Sequence, residues 1–362
     1  MAVLCALIGH VVARCSVTPE KLSGSEVNVS PAPANPCEQA LAAWCARWMP
    51  ASAEASAFQI TVAVAYSGGA DSTALLLAAH QRWPGRVLAL HVHHGLQAAA
   101  DGFEAFASSF CELHGIGLQV RRVQAAHAPG QSPEDAARAV RYTALADMAQ
   151  QAGASMVLLG QHADDQAETL LLALSRGAGL PGLAAMPDRF ERHGVVFGRP
   201  LLGLPSAALR EWLDVTGHAF VEDPTNTDLR YTRNRIRAIL MPAWEACFPG
   251  FRPLLARSAG HAAQAQVLLD DLARIDLAQA GMPPAIPALQ LLSRERQGNA
   301  LRHWLRQIAG VAASTAQLDE LLDQVADCRT RGHRIRIKVA SGFVTREGGH
   351  LAFAPVDGVP SI

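Results

Sequence analysis

The sequence predicts an α/β fold: a doubly wound parallel sheet, followed by a smaller, mainly helical C-terminal domain. Three observations carry this reading. Between residues 61 and 176, β-like runs and helical stretches alternate four times. The β-like runs are continuously apolar and do not alternate, as expected for parallel strands covered on both faces. Beyond residue 250 the periodicity turns helical (251–280, 288–309, 315–327) and ends in short β-like pieces, RIRIKV, FVTR and HLAFA.

The elements follow in order. Residues 1–35 read as a disordered tail, because the Ser/Pro/Asn-rich stretch has no apolar pattern. The apolar start has no positive charge ahead of it and is interrupted by His10, so it reads as tail rather than secretory leader. Residues 36–240 form the expected catalytic domain, opening with a short helix, EQALAAWCARW. A strand over 61–66 then runs into Ser67-Gly68-Gly69-Ala70-Asp71-Ser72 and the helix TALLLAAHQRW. The second strand, 87–94, precedes a helix with Phe103, Phe106, Phe110 and Leu113 on one face. Strand 118–123 leads to a helix opened by Ser132 as N-cap, with Pro133 at its first position and Asp135 three after the cap. Strand 156–161 leads to the helix DDQAETLLLALSR, closed by Gly177. Residues 241–355 form the second domain.

Half of the 362 residues are hydrophobic and 17% are charged, a globular composition, and no stretch reaches the ~20 apolar residues of a membrane span. The seven cysteines form no C-x-x-C pair, which suits reduced thiols in the cytoplasm. The net charge of −1 hides a split. Residues 36–228 hold 12 Lys and Arg against 19 Asp and Glu, whereas 229–340 hold 16 against 9. A basic part beside an acidic part suggests that one holds a polyanion while the other does chemistry.

Parallel sheets bind ligands beyond the carboxyl ends of their strands, and the polar clusters fall there. In the first, Gly68 and Gly69 let backbone N–H groups approach an anion at a helix N-terminus, and Ser67 and Ser72 add hydroxyls. The Walker pattern G-x-x-x-x-G-K-[ST] is absent. Asp71 fits a phosphate cradle only as a holder of a metal ion or a positioned amide.

In the second, His91-Val92-His93-His94 ends a strand without a carboxylate or cysteine at ligand spacing, leaving pocket lining, plain packing and a metal site as readings. Arg138 and Arg141, three apart, share a helix face. Residues 36–228 contain no lysine, so positive charge on a phosphate there comes from arginine or Mg²⁺. Asp164, Asp165 and Glu168 crowd the start of one helix, which fits Mg²⁺ or a substrate cation better than helix capping alone. The arginines at 230, 233, 235 and 237 suit RNA phosphates.

The S-G-G-x-D-S loop after a strand resembles that of the PP-loop ATP pyrophosphatases, which share an adenine-nucleotide α-hydrolase-like fold. Between about residues 60 and 240 the ordered set resembles the lysidine synthases of that family: this loop, the His-Gly-Leu strand end, Glu134…Arg138…Arg141-Tyr142, His162…Asp164-Asp165…Glu168-Thr169, and Asp223…Asn226…Arg233-Asn234…Arg237. The resemblance implies a ligase that joins free lysine to C2 of the wobble cytidine in a tRNA(Ile) with a CAU anticodon. It proceeds through an adenylated intermediate and converts ATP to AMP and pyrophosphate.

By resemblance, Ser67, Gly68, Gly69, Ala70, Asp71, Ser72, His93 and Arg141 hold the nucleotide, and Arg138 joins Asp71 in catalysis. The resemblance also gives Asp165 and Glu168 the lysine amine; the residues themselves offer Arg233, Arg235 and Arg237 as tRNA contacts and Asp71 with Asp164 as candidates for Mg²⁺. No membrane partner is implied, and a homodimer is left open. A 2-thiocytidine synthetase of the PP-loop type is the nearest alternative, opposed by the missing C-x-x-C; a non-enzymatic nucleotide-binding module would need neither the acidic cluster nor the arginines.

Overall fold

The structure is a computed structural model and describes residues 33–49, 61–93, 99–124, 133–330 and 332–355. The expected tail up to residue 32, the Ser132 cap and His94 lie outside the described residues. The chain divides into two compact units, Met1–Ala259 and Gly260–Ile362.

In the first unit the helices are α1 (Pro36–Trp48), α2 (Ala70–Arg82), α3 (Ala99–His114), α4 (Pro133–Gln151), α5 (Ala163–Ser175), α6 (Leu180–Leu183) and α7 (Ser206–Thr216). The strands are β1 (Val62–Ala65), β2 (Val87–His93), β3 (Gly117–Arg122), β4 (Met156–Leu158), β5 (Arg189–Arg192) and β6 (Val195–Gly198). Their order in the sheet is β3-β2-β1-β4-β6-β5. All neighbours pair in parallel except β5 and β6, which form an antiparallel hairpin.

The continuous apolarity of β1 has a direct cause. Val62 and Val64 pack with residues of α1, α2, α3 and α7, while Ala63 packs with Tyr142, Leu145 and Met148 of α4 on the other face. Successive side chains face opposite ways, and both faces are buried. β1 lies between β2 and β4, so the strand order reverses there, and the crevice beyond their carboxyl ends is the ligand position for such sheets.

The β5–β6 hairpin adds an antiparallel edge that the four-fold alternation does not predict. His193 and Gly194 both take positive φ, 51° and 70°, the backbone of a tight two-residue hairpin turn. Only Gly194 carries a turn signal in the sequence. After α7 come the short helices α8 (Thr232–Arg235) and α9 (Met241–Cys247), separated by a π-helical turn over Ile236–Leu240.

The remaining elements are α10 (Phe251–Ala280), α11 (Ile286–Leu289), α12 (Arg294–Ala309) and α13 (Thr315–Asp327), then β7 (Arg336–Val339), β8 (Gly342–Glu347) and β9 (His350–Pro355). The second unit packs α12 and α13 around Leu301, Trp304, Leu321 and Val325, together with Val339 and Val344 of its three-stranded antiparallel sheet. Ser314 and Gln317 cap α13 reciprocally, as a capping box does. Among the described residues no helix is long and apolar enough to cross a membrane.

Candidate active site

The loop between β1 and α2 is held in shape by its own serines. Ser72 Oγ donates to the Gly69 carbonyl (3.0 Å), accepts from the Ser67 N–H (3.2 Å), and lies 3.1 Å from Ser67 Oγ. Gly68 takes φ +83°, and a Cβ there would come within 3.0 Å of Val221 Cγ2. The conformation therefore calls for glycine, and a Cβ would also crowd the Val221 and Phe106 side chains. Gly69 caps α2 without a side-chain bond, leaving the first turn of that helix facing the crevice.

Asp71 sits in that first turn. Its carboxylate accepts from the Ser206 hydroxyl (2.9 Å) and stands 3.5 Å from His162 Nε2. Burial acts to raise its pKa, but His162 and Ser206 outweigh that effect and hold the carboxyl below its usual range.

His162 is a hub. Nε2 lies 3.4 Å from Asp165 and 3.5 Å from Asp71, and Nδ1 lies 3.6 Å from Asp164. The residue is 6% exposed. Burial would lower its pKa, yet the three carboxylates win and push it from 6.5 up to about 9, so the ring is an imidazolium at neutral pH. His162 belongs to a motif in the sequence but carries no role there, because nothing local shows that Asp71 reaches it.

The three acids of α5 do not share one ligand position. Asp164 bonds to Arg252 and accepts from the Ser206 N–H (2.9 Å). Asp165 accepts from the His162 N–H (3.1 Å), closing a capping box at the head of α5, and also borders the crevice. Glu168 is fully buried and ion-paired with Arg237 (2.7 Å), with Arg233 at 3.6 Å. Its Oε2 has no hydrogen-bond partner. Burial raises the Glu168 carboxyl more than the two arginines lower it. Among the described residues no group of three or more His, Cys, Asp or Glu could hold a metal ion.

The crevice is a cavity of about 630 Å³. Its lining brings together Ser67, Gly69, Ala70, Asp71 and Ser72 of the loop, His91 and His93 of β2, Arg138 and Arg141 of α4, and Asp165. Gly68, Asp164, Glu168 and the arginines at 233, 235 and 237 do not line it. His91 Nδ1 meets the Tyr66 carbonyl (2.9 Å), and burial holds that ring's pKa low. His93 Nε2 lies 3.2 Å from Asp101.

The lining also includes Tyr142, Asp223 and Asn226, which belong to sequence motifs without a role assigned to them, together with Gln161 and Arg210. Buried Arg199 donates to Tyr142 Oη (3.0 Å), Gln161 Oε1 (3.0 Å) and the Pro187 carbonyl (2.7 Å). Arg138 and Arg141 lie over the same Tyr142 ring, at 5.6 and 6.0 Å. Positive charge therefore gathers at one wall, where the domain has no lysine to supply it.

The arginines offered for RNA have internal partners. Arg230 pairs with Asp228 (2.7 Å), and Arg235 donates to the Leu229 and Arg230 carbonyls (3.0 and 3.1 Å). Arg233 reaches Thr169 Oγ1 (3.4 Å) as well as Glu168. Asn234 pins the loop by donating to the Thr225 and Asp228 carbonyls (2.8 and 2.9 Å).

Residues 49–244 match the PP-loop domain family and residues 285–351 the TilS substrate binding domain. A tRNA(Ile)-lysidine synthase from Polaromonas naphthalenivorans is 62% identical over 303 residues, spanning 84% of this chain and 92% of that one. Its counterpart in Burkholderia pseudomallei is 45% identical over 283 residues, 76% of this chain and 58% of that one. That of Bordetella pertussis is 42% identical over 303 residues, 80% of this chain and 94% of that one. The chain thus spans nearly all of some relatives and little more than half of others. It belongs to the tRNA(Ile)-lysidine synthase family of PP-loop enzymes.

Proposed function

We propose that the chain joins free L-lysine to C2 of the wobble cytidine in tRNA(Ile) bearing a CAU anticodon. The ligase class, the use of ATP and the tRNA substrate follow from the family. The lysine and the roles of single residues are our reading. The observation that carries it is the crevice itself: one cavity edged by the N-terminal turn of α2, by Arg138 and Arg141, and by Asp165. An anion site and a cation site therefore share one chamber.

In this reading the cytidine O2 attacks the α-phosphorus of ATP and pyrophosphate departs. The Ser67 hydroxyl and the N–H groups of Ala70 and Ser72 face the departing phosphates at a helix N-terminus, in a loop shaped by the internal bonds of Ser67, Gly69 and Ser72. Gly68 shapes the loop, His93 lines the wall, and Arg138 and Arg141 offset the developing charge. The ε-amine of lysine, oriented by Asp165 with Glu168 behind it, then attacks C2 and AMP leaves. The base must be unstacked to reach such a chamber.

Mg²⁺ fits in a restricted sense. Of the two carboxylates proposed for it, Asp71 borders the cavity, while Asp164 is taken by Arg252 and Ser206. Magnesium commonly uses one or two carboxylates and completes its shell with water and substrate phosphate. Asp71 would hold it, and it would supply charge neutralisation on the phosphates.

The 2-thiocytidine alternative gains no support, since the free cysteines described are scattered and four of the five are buried. A plain nucleotide-binding module gains none either, since the family is enzymatic. The deciding experiment incubates the chain with tRNA(Ile)(CAU), ATP and labelled lysine. Label in the tRNA, with stoichiometric AMP and pyrophosphate, is expected. Pyrophosphate without label would remove lysine from the reading.

A further inference from the structure

The buried acid of α5 already holds a cation that belongs to the protein. Arg237 Nη2 lies 2.7 Å from Glu168 Oε1, Nε donates to the same oxygen at 2.8 Å, and Nη2 is 3.6 Å from Asp165 Oδ1. The guanidinium thus spans both carboxylates to which we assign the lysine amine, and this inference rests on that assignment. Glu168 Oε2 is buried without a hydrogen-bond donor, with Arg233 Nη1 3.6 Å away as an ion-pair partner. A buried carboxylate oxygen in that state costs free energy, and a compact ammonium with three N–H donors could satisfy it.

Arg237 is also placed to leave. Its side chain is 42% exposed, against 1% for Glu168. It lies on the π-helical turn between α8 and α9, an irregular stretch of a kind common at functional sites. It belongs to the group of arginines at 230, 233, 235 and 237, whose density suits RNA phosphates.

We propose that Arg237 gates the amine site: in the tRNA-free chain its guanidinium occupies the Asp165–Glu168 pair in place of the lysine ammonium, and an RNA phosphate draws it out. Lysine then binds only once tRNA is seated. The gate conserves charge, because one cation leaves the acids as another arrives. Differential affinity of RNA for the withdrawn arginine supplies the coupling between the sites.

The test measures binding of L-lysine to the full chain by equilibrium dialysis, with and without tRNA(Ile)(CAU). Wild type is expected to bind lysine at least about tenfold more weakly without tRNA, a coupling of ordinary size. Arg237→Gln, without tRNA, is expected to bind lysine at least about tenfold more tightly than wild type does. Arg237→Lys, which keeps a cation there, is expected to stay closed. Equal lysine affinity of wild type with and without tRNA would overturn the gate, as would a folded Arg237→Gln with no gain. Should Arg237→Gln fail to fold, the wild-type comparison decides by itself. Asp165→Asn separates the two readings: if it raises the lysine requirement of the full reaction while Arg237→Gln shows no gain, only the gate falls. If Asp165→Asn leaves that requirement unchanged, the assignment of the amine site falls and the gate with it.

Discussion

His162 Nε2 stands 3.5 Å from the Asp71 carboxylate, so a residue at the head of α5 steadies the first turn of α2. The pair joins the ends of two strands, β1 and β4, that flank the crevice. Its strength depends on the His162 proton. The folded-state pKa of about 9 lies above the ordinary 6.5. The stabilisation is therefore complete below about 6.5 and is lost as pH rises through about 9. Every tenfold gain in proton affinity on folding is worth about 1.4 kcal/mol, or a few degrees of Tm in a domain this large. Thermal melts of wild type in metal-free buffer are expected to fall across that window, and those of His162→Gln to stay nearly flat. Parallel curves for the two proteins would show that the imidazolium contributes no net stability.

The loop serines and Asp71 make a separable prediction. Ser72→Ala deletes the hydroxyl that holds the Ser67 N–H and the Gly69 carbonyl together. Asp71→Ala deletes the carboxylate bordering the cavity. Each is expected to lower pyrophosphate release by at least about a hundredfold, the usual cost of losing an oriented polar group at developing charge. tRNA affinity by gel shift should change little. Wild-type turnover in Asp71→Ala would remove it from the reaction.

Gly160 is a steric prediction. A Cβ there would lie 3.2 Å from the Asp71 carbonyl carbon and the Ser72 nitrogen, and 3.3 Å from Ser72 Cα. All three atoms are backbone, which cannot rotate aside as a side chain can. Gly160→Ala is therefore expected to displace the start of α2, at a cost of roughly 1–3 kcal/mol. The Michaelis constant for ATP should rise along with the loss in Tm. A normal ATP response would mean that the loop absorbs the methyl elsewhere.

Neither Gly160 nor His162 announces its role in the sequence, and the reason is the same for both. Each acts on Asp71 across a strand pairing, and local spacing carries no record of which strand ends become neighbours. Arg252 on Asp164 and Arg237 on Glu168 are hidden in the same way. What can be read locally is the loop, since glycines after an apolar run at a helix start have one common physical use. The helices 251–280 and 315–327 are equally plain, because a 3.6-residue period needs no tertiary context. The β5–β6 hairpin is not: strands of four residues are too short to show a period, and only one of the two turn positions is glycine.

Asp165 and Glu168, side by side in the motif, are expected to behave differently when changed. Asp165 is partly exposed at the cavity, whereas Glu168 is buried beneath it and holds Arg237 and Arg233. Asp165→Asn removes a charge that an incoming ammonium would feel directly. A hydrogen bond to a charged group is worth roughly 1.5–3 kcal/mol, so the lysine requirement should rise about ten- to a hundredfold. Adenylation should survive, and adenylated tRNA should accumulate when lysine is withheld. Glu168→Gln instead leaves two arginines facing a neutral amide, and breaking a buried pair in this way costs about 3–5 kcal/mol. Its first symptom should be a lower Tm, with the lysine defect superimposed on that loss. If these carboxylates served Mg²⁺ rather than the amine, adenylation would fail in both variants. Quantifying adenylated tRNA without lysine therefore decides the matter, and its absence from a folded Asp165→Asn protein would overturn the amine assignment.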